Sequence, residues 1–343
     1  MKRWLLAIIG ITIVGVLVTA TVGFSAWRGL FQSADRTSTT PVLVLVESGT
    51  SVTDVINQLD QKQLIRSAFW LQVAARLSGV TPRVGLYHVQ ANESALSILG
   101  TIASGKVAET QVTFPEGWRR EEIGERLVEK GLVTDQASWL DSTKTVDMYP
   151  TLVNSVKPPA GTDLEGFLFP DTYRFEAGGD LSAIVAKMVD NFVKRTSTLK
   201  LTYDTVILAS IVEREAKFDE DRATIAGVYA NRLKLGMKLD ADPTVQYAKA
   251  SIACGQSASV CMDSGWWEVL SGGESKSVQS LYNTYLHVGL PPTPISNPGL
   301  ASLKAAASPA EHDYLYFVTD HDGHAHFATT LTEHQQNVLK YVR

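Results

Sequence analysis

An uninterrupted apolar run near the N-terminus limits what the start of this chain can become. The segment Trp4–Trp27 contains no charged residue, and a helix of about 20 apolar residues is long enough to cross a bilayer. Lys2 and Arg3 precede the run, which favours an N-terminus in the cytoplasm. We therefore predict a cytoplasmic tip and membrane anchor over residues 1–28, with the rest of the chain exported.

A cleaved secretory signal peptide is the main alternative to this anchor. The apolar core of such a peptide is usually shorter and ends in a small-x-small cleavage site. The length of the run favours a retained helix, as do Phe24 and Trp27, which are suited to the membrane interface. A buried core helix is a third possibility, but the two cations directly before Trp4 argue against it.

The composition of the whole chain indicates a folded protein and excludes some function classes. It has 343 residues, of which 45% are hydrophobic and 20% charged, with a net charge of −5, so global disorder is not expected. A mildly acidic chain gives no electrostatic basis for binding nucleic acid. It contains no phosphate-binding glycine loop, nucleophile elbow or dinucleotide fingerprint, and we predict no cofactor.

Behind the anchor we predict an α+β protein with three further regions. Residues 29–41 form a polar linker. Residues 42–106 contain a strand, a Gly-Thr-Ser turn and amphipathic helices, an order that resembles a small LysM-like carbohydrate-binding module. Residues 107–343 form a mixed α/β domain. Near its end, Asp322-Gly323 predicts the turn of a β-hairpin.

Glu213 ends the apolar part of a predicted helix and is our first candidate for acid–base chemistry. Burial disfavours an ionised carboxyl and should raise its pKa, as a general acid requires. Glu215 lies two residues further on, about 200° around the helix axis, so the two carboxyl groups cannot face one cleft. The alternative for Glu213 is an ion pair with Lys217 on a solvated face.

Two loops rich in aromatic residues, Gly and Pro are candidates for sugar binding, namely 164–173 and 282–292. Sugar rings stack on aromatic faces while their hydroxyl groups need fixed polar partners; rigid surface loops are the alternative. His321–His326 contains three histidines, but they straddle the hairpin turn and no fourth ligand is evident, so we predict no metal site. Cys254 and Cys261 are predicted to form a disulfide in an oxidising compartment, the alternative being two free thiols.

Several motifs together resemble the YceG-like family, the endolytic murein transglycosylases. The motifs are Phe114–Trp118, Leu164–Tyr173, Ala209–Glu215, Asn231–Leu233, Asp242–Tyr247, Tyr282–Tyr285 and Gly289–Pro292. The resemblance implies a single-pass protein of the bacterial cytoplasmic membrane, with the catalytic domain 107–343 in the periplasm. It implies cleavage of the β-1,4 bond between N-acetylmuramic acid and N-acetylglucosamine inside glycan strands, leaving a 1,6-anhydro-muramyl end.

The resemblance also implies roles for individual residues. The catalytic glutamate would be the first of the Ile-Val-Glu-x-Glu stretch, Glu213, and no cofactor is needed. Candidates for binding the glycan are Asn283 and Tyr285, followed by Glu165, Asp171, Asp242 and Gln246. The implied partners are peptidoglycan strands and the synthases that polymerise them in the same membrane. Residues 251–276 match no motif, and a non-catalytic peptidoglycan-binding scaffold remains the competing function.

Overall fold

The chain divides into two units, which a computed structural model describes over residues 2–47, 49–176, 179–256 and 265–342. The first unit consists of residues 1–110 and 174–179, and the second of residues 111–173 and 180–343. Both α-helices and β-strands are present, so the predicted mixed class is confirmed. The likeness of residues 42–106 to a LysM module stays a prediction.

The first unit contains two paired strands and four helices, and the chain leaves and re-enters the unit through a second strand pair. Its elements are α1 (Lys2–Phe31), β1 (Pro41–Val46), α2 (Val52–Gln61), α3 (Ala68–Ser78), β2 (Gly85–Gln90) and α4 (Ala95–Ser104). The second pair consists of β3 (Glu109–Thr113) and β4 (Thr172–Glu176).

The core of the first unit forms because β1 and β2 place alternate side chains on one face. The strands run antiparallel, with Val44 opposite Tyr87, and both of these side chains are buried. Ile56 of α2 and Ile98 of α4 belong to the same buried cluster. Ser51 starts α2 with a capping box, which satisfies backbone N–H groups that would otherwise lack partners.

Helix α1 extends beyond the predicted end of the anchor. The stretch Ala7–Phe31 is long and apolar enough to cross a membrane, and its most apolar 18 residues are not buried by the protein, which is consistent with a single-pass membrane protein. Part of the predicted linker packs against other residues of the first unit and is not an extended, solvated connection. Ser33 pairs with Ser94, and the backbone N–H of Asp35 donates to the carbonyl of Ala91 at 2.9 Å.

The second unit is mainly helical. Its elements are α5 (Arg120–Glu129), α6 (Gln136–Ser142), a 3₁₀ turn (Val146–Met148), α7 (Pro150–Val156), α8 (Leu181–Thr196), α9 (Tyr203–Glu215), α10 (Asp219–Lys234), α11 (Asp242–Gln256), α12 (Glu274–Ser277), α13 (Leu300–Ala307), β5 (Tyr316–Thr319), β6 (Ala325–Ala328) and α14 (Leu331–Tyr341). The predicted hairpin at Asp322-Gly323 is confirmed, since β5 and β6 pair antiparallel across that turn.

Helix α9 positions the candidate site because it runs through the middle of the second unit. Thr202 caps its N-terminus, and every residue from Val206 to Val212 is buried. It packs against α10, α11 and α13. A helix that is apolar on all sides is stable only inside a protein, and its first polar residues after this run are Glu213, Arg214 and Glu215.

Candidate active site

The C-terminal turn of α9 places Glu213 and Glu215 in different surroundings. The angular separation expected from helix geometry is confirmed, because the two carboxyl groups share no hydrogen-bond partner among the described residues. Glu213 faces α10 and the start of α13, whereas Glu215 faces a cavity on the other side. Each side is described in turn.

Glu213 lies in a closed ion pair. Its side chain is 5% exposed, and Oε1 accepts a hydrogen bond from Arg222 Nη1 at 3.1 Å. The backbone N–H of Gly299 donates to Oε2 at 2.9 Å. The solvated pair with Lys217 is therefore wrong: Lys217 donates to the carbonyl of Asp322 instead, at 2.7 Å. A cation and an N–H donor thus occupy both oxygen atoms of the Glu213 side chain.

Arg222 makes two further hydrogen bonds, from Nε and from the same Nη1 atom. These bonds join it to Asp219 at 2.9 Å and to the hydroxyl of Ser302 at 2.6 Å. A second carboxyl group, that of Glu116, lies so close to Gly299 that a Cβ atom built there would be 1.9 Å from Glu116 Oε1. Partial burial raises the pKa of Glu116, and the charge of Glu213 adds to the rise. This side of α9 is a packed polar cluster.

Glu215 faces a cavity of about 480 Å³. The phenol of Tyr229 donates a hydrogen bond to Glu215 Oε1 at 3.0 Å. Burial raises the pKa of Glu215 to about 7; the Tyr229 hydrogen bond lowers it and the nearby charge of Asp242 raises it. A carboxyl group that keeps its proton close to neutral pH is suited to general acid catalysis.

The cavity also contains two of the predicted glycan-binding residues, Asp242 and Tyr285. The hydroxyl of Tyr285 donates to Asp242 Oδ1 at 2.7 Å, and burial raises the pKa of Tyr285, as does its contact with Asp242. Lys238 donates to the carbonyl of Tyr285 at 2.8 Å, which fixes the loop that carries this residue. Their role in binding stays a prediction.

Arg232 and the β5 strand form another wall of the cavity. The guanidinium of Arg232 binds the carbonyl groups of Leu315 at 2.6 Å and Leu239 at 2.7 Å. It thereby joins α10 to the segment before β5. The aromatic ring of Tyr316 in β5 lines the cavity and lies 5.2 Å from the Arg232 guanidinium.

His334, at the start of α14, completes the lining beside Tyr316. Its ring stacks on that of Tyr316, with centroids 5.5 Å apart. Its Nδ1 atom is buried and has no hydrogen-bond partner within the described parts of the chain. Burial lowers the pKa of His334, and Arg232 lowers it further, so the ring is neutral at pH 7. A buried ring nitrogen without a partner is suited to a polar group of a bound ligand.

Two of the predicted glycan-binding residues, Asn283 and Glu165, are buried inside the second unit, and their role in binding stays a prediction. Asn283 is 0% exposed; its amide donates to the carbonyls of Ser275 and Val278 at 3.0 and 2.8 Å. Glu165 is 1% exposed and accepts the backbone N–H of Arg120 at the start of α5, at 3.1 Å. Both side chains hold backbone groups inside the fold through these hydrogen bonds.

The other two predicted glycan-binding residues lie outside the Glu215 cavity. Asp171 binds Arg195 at 2.6 Å and lines a separate cavity of about 360 Å³. Gln246 donates to the carbonyl of Glu268 at 3.1 Å. The role of both residues as glycan contacts stays a prediction. Neither of them lines the cavity beside Glu215.

The histidines of the hairpin are held by neighbouring side chains, and the predicted disulfide falls partly outside the described residues. Cys261 lies outside the described residues, so its bridge to Cys254 stays a prediction. In the hairpin, His326 Nε2 lies 2.8 Å from Asp320 Oδ2, and the His324 ring stacks on Phe218 at 4.4 Å. Over the described ranges, no group of three or more His, Cys, Asp or Glu side chains is placed to hold a metal ion.

Tyr229, Arg232 and His334 line the cavity but were not among the site residues predicted from the sequence, and the assignment of the acid to Glu213 stays a prediction. The helical spacing separated the two glutamates but gave no indication of which one faces open space. The partners of Glu213 and Glu215 are far along the chain, at Gly299 and Tyr229. A pattern within one helix cannot locate them.

Comparison with known proteins gives consistent matches over most of the chain. The sequence pattern of the YceG-like family matches residues 44–340. The endolytic murein transglycosylase of Bacillus subtilis is 28% identical over 344 residues, which cover 92% of this chain and 89% of that protein. The enzyme of the same name from Streptococcus pneumoniae D39 is 28% identical, covering 90% of this chain and 60% of the relative.

The solved structures include a similar fold. A yceG-like protein from Listeria monocytogenes, known from its crystal structure, is 28% identical and superimposes with a TM-score of 0.53. The match covers 87% of this chain and 99% of the other. The resemblance therefore extends from sequence motifs to three-dimensional structure.

Proposed function

This chain belongs to the YceG-like family, and we propose that it cuts peptidoglycan strands internally, with Glu215 protonating the bond that breaks. Its relatives named endolytic murein transglycosylase make it a lytic transglycosylase with peptidoglycan as substrate. The observation that carries the residue assignment is a carboxyl group with a pKa of about 7 in an open cavity.

The choice of Glu215 over Glu213 rests on two requirements for a general acid. The acid must hold a proton near neutral pH, and a glycosidic oxygen must be able to reach it. Glu215 lines a cavity and keeps its proton. Glu213 is 5% exposed and both of its oxygen atoms are bonded, to Arg222 and to the Gly299 N–H, so a glycosidic oxygen reaches it only if these contacts open. Glu213 remains the alternative acid, as the motif alone implies.

In the first step, Glu215 donates its proton to the oxygen between N-acetylmuramic acid and N-acetylglucosamine. The bond from that oxygen to the muramyl C1 breaks, and positive charge develops at C1. The Asp242 carboxylate lines the same cavity and stabilises this charge, together with the N-acetyl group of the substrate. The Tyr285 hydroxyl keeps Asp242 oriented through its 2.7 Å hydrogen bond.

In the second step, the C6 hydroxyl of the same muramyl residue attacks C1. Glu215, now a carboxylate, accepts the proton that this hydroxyl loses and returns to its starting state. The proton given to the leaving sugar is thus replaced by the C6 proton, and no water is consumed. The products are a new N-acetylglucosamine end and a 1,6-anhydro-muramyl end.

The location of the enzyme follows from the apolar helix α1. We propose that α1 is retained as a single anchor in the cytoplasmic membrane and that both units lie in the periplasm. The LysM-like unit would bind glycan, and the enzyme would cut nascent strands close to the synthases that make them. Such an arrangement ends strand elongation at a set distance from the membrane.

Mass spectrometry of purified glycan strands, digested with the full chain in detergent, tests the reaction. We expect anhydro-ended fragments from the wild type and from Glu213→Gln, but none from Glu215→Gln. Loss of cleavage in Glu213→Gln alone would transfer the acid role to Glu213. Reducing ends in place of anhydro ends would mean that water attacks C1. If folded wild-type protein cleaves nothing, the scaffold function replaces the enzyme.

A further inference from the structure

The outer end of α1 packs tightly against α3 of the first unit. The indole Nε1 of Trp70 donates to Ser25 Oγ at 3.0 Å. Gly29 provides the room for this contact, because a Cβ atom there would lie 3.0 Å from Trp70 Cδ1 and 3.1 Å from Ser67 Cβ. The Arg66 guanidinium binds the carbonyl of Ser33. The helix and the unit are therefore one packed body in this region.

These contacts also give the direction of α3 relative to the anchor. Arg66 lies beside Ser33, and Ser67 lies beside Gly29. Trp70 reaches Ser25. Helix α3 therefore runs from its first residues towards the N-terminal, membrane-spanning part of α1. Residues later in α3 lie nearer to the bilayer than Arg66 does.

The length of α1 indicates the level of Trp70. A helix rises about 1.5 Å per residue, so Ala7 and Ser25 are roughly 27 Å apart along the axis. The hydrocarbon core of a bilayer is about 30 Å thick. If the span begins near Ala7, the Trp70 indole lies at the outer edge of the hydrocarbon, where Trp side chains are enriched.

Two large apolar side chains of α3 are exposed in this region. Phe69 is 63% exposed and Leu77 is 84% exposed, and the Phe69 ring packs edge-on against Trp70 at 5.0 Å. Phe24 and Trp27 of α1 add a further exposed aromatic pair, with ring centroids 6.0 Å apart. The exposed cation Arg76, beside Leu77, is suited to a lipid phosphate.

We propose that α3 is a lipid-contact surface at the outer boundary of the membrane, with Phe69 near the border between headgroups and hydrocarbon and Leu77 further towards the acyl chains. The proposal rests on the proposed anchor. Its chemistry is that of the membrane interface: aromatic and aliphatic side chains among acyl chains, with an arginine that extends towards the phosphates. The first unit is then held at a fixed depth against the bilayer, and α1 does not act as a loose tether.

Photocrosslinking of the full chain in phosphatidylglycerol/phosphatidylethanolamine vesicles tests the surface. A benzoylphenylalanine replaces Phe69, Leu77 or, as a control, Leu45. Leu45 is 47% exposed and lies beside Glu47 and Asp54, in polar surroundings. We expect lipid adducts at positions 69 and 77, at least fivefold more than at position 45. Equal yields at all three positions, or none at 69 and 77, would overturn the proposal.

Two further measurements separate this surface from the anchor itself. Flotation of the vesicles tests only whether α1 anchors the chain; a chain that fails to float refutes the anchor. A chain that floats but gives no adducts refutes the lipid-contact surface alone. Gly29→Val, which pushes against Trp70, should lower the adduct yield at position 69 several-fold while flotation is retained. An unchanged yield would mean that the α1–α3 contact does not set the depth.

Discussion

Each side of the last turn of α9 carries one glutamate carboxyl group, and the two groups have different surroundings. On one side, Glu213 meets a guanidinium and a backbone N–H and is closed off from solvent. On the other side, Glu215 meets a phenol and an open cavity. Burial alone therefore does not define a candidate acid: the hydrogen-bond partners of each carboxyl group and its access to open space distinguish the two sides.

Activity measurements give the largest expected difference between the two sides. Glu215→Gln removes the transferable proton while keeping the shape, so kcat/KM should fall by about 10²–10⁴-fold, the usual contribution of a general acid. Glu213→Gln keeps an acceptor for the Gly299 N–H and should stay within about tenfold of wild type. Rates of anhydro-end formation on glycan strands measure both. The reverse order of the two losses would exchange the roles assigned here.

Stability should show the opposite order. Glu213→Gln removes the buried anionic partner of Arg222 and leaves only the exposed Asp219; breaking one side of a buried pair costs up to about 3–5 kcal/mol. Glu215→Gln introduces a neutral group where a protonated carboxyl already lies, so little loss is expected below pH 7. Denaturant unfolding of both variants checks this, with Glu213→Gln/Arg222→Met as the control that removes both charges. A stable Glu213→Gln would show that the ion pair is not structural.

The pH dependence follows from the raised pKa of Glu215. Because its folded pKa, about 7, exceeds its unfolded value, its stability contribution is complete below about pH 4.5 and is lost as pH rises through about 7. Activity should fall over the same rise in pH, because the acid loses its proton there. Tyr229→Phe removes a hydrogen bond that lowers this pKa, so the fall in activity should move to higher pH. A pH–rate profile that does not move would argue against Glu215 as the acid.

The smallest expected effect is at His334. Its buried Nδ1 has no partner among the described residues, so His334→Ala should raise KM several-fold and leave kcat nearly unchanged. His334→Asn, which places an oxygen acceptor near the same position, should recover part of the loss. The exposed His321 is the matched control, and His321→Ala should have no effect. A fall in kcat instead of a rise in KM would give His334 a part in the chemistry.

The sequence was sufficient for features that depend on neighbouring residues. The apolar period of α9, the Asp322-Gly323 hairpin and the angle between the two glutamates are all local, and the structure confirms each. The family motifs also led to Asp242 and Tyr285, which lie in the cavity.

The sequence was insufficient wherever a distant segment decided the surroundings. Glu165 was read as a cleft residue, but Arg120 and Asn297 enclose it. Which glutamate of α9 faces open space depends on α13 and α10, and no local pattern encodes their positions.

The first unit is built from two separate segments of the chain, and this affects the order in which it can be completed during synthesis. Residues 174–179 belong to that unit although most of it ends at residue 110. During synthesis, therefore, the N-terminal unit cannot be complete when its first 110 residues have emerged, because residues 174–179 arrive only after residues 111–173 of the second unit have been translated. A chain interrupted between these points would leave the first unit unfinished, which couples the maturation of the two units in time.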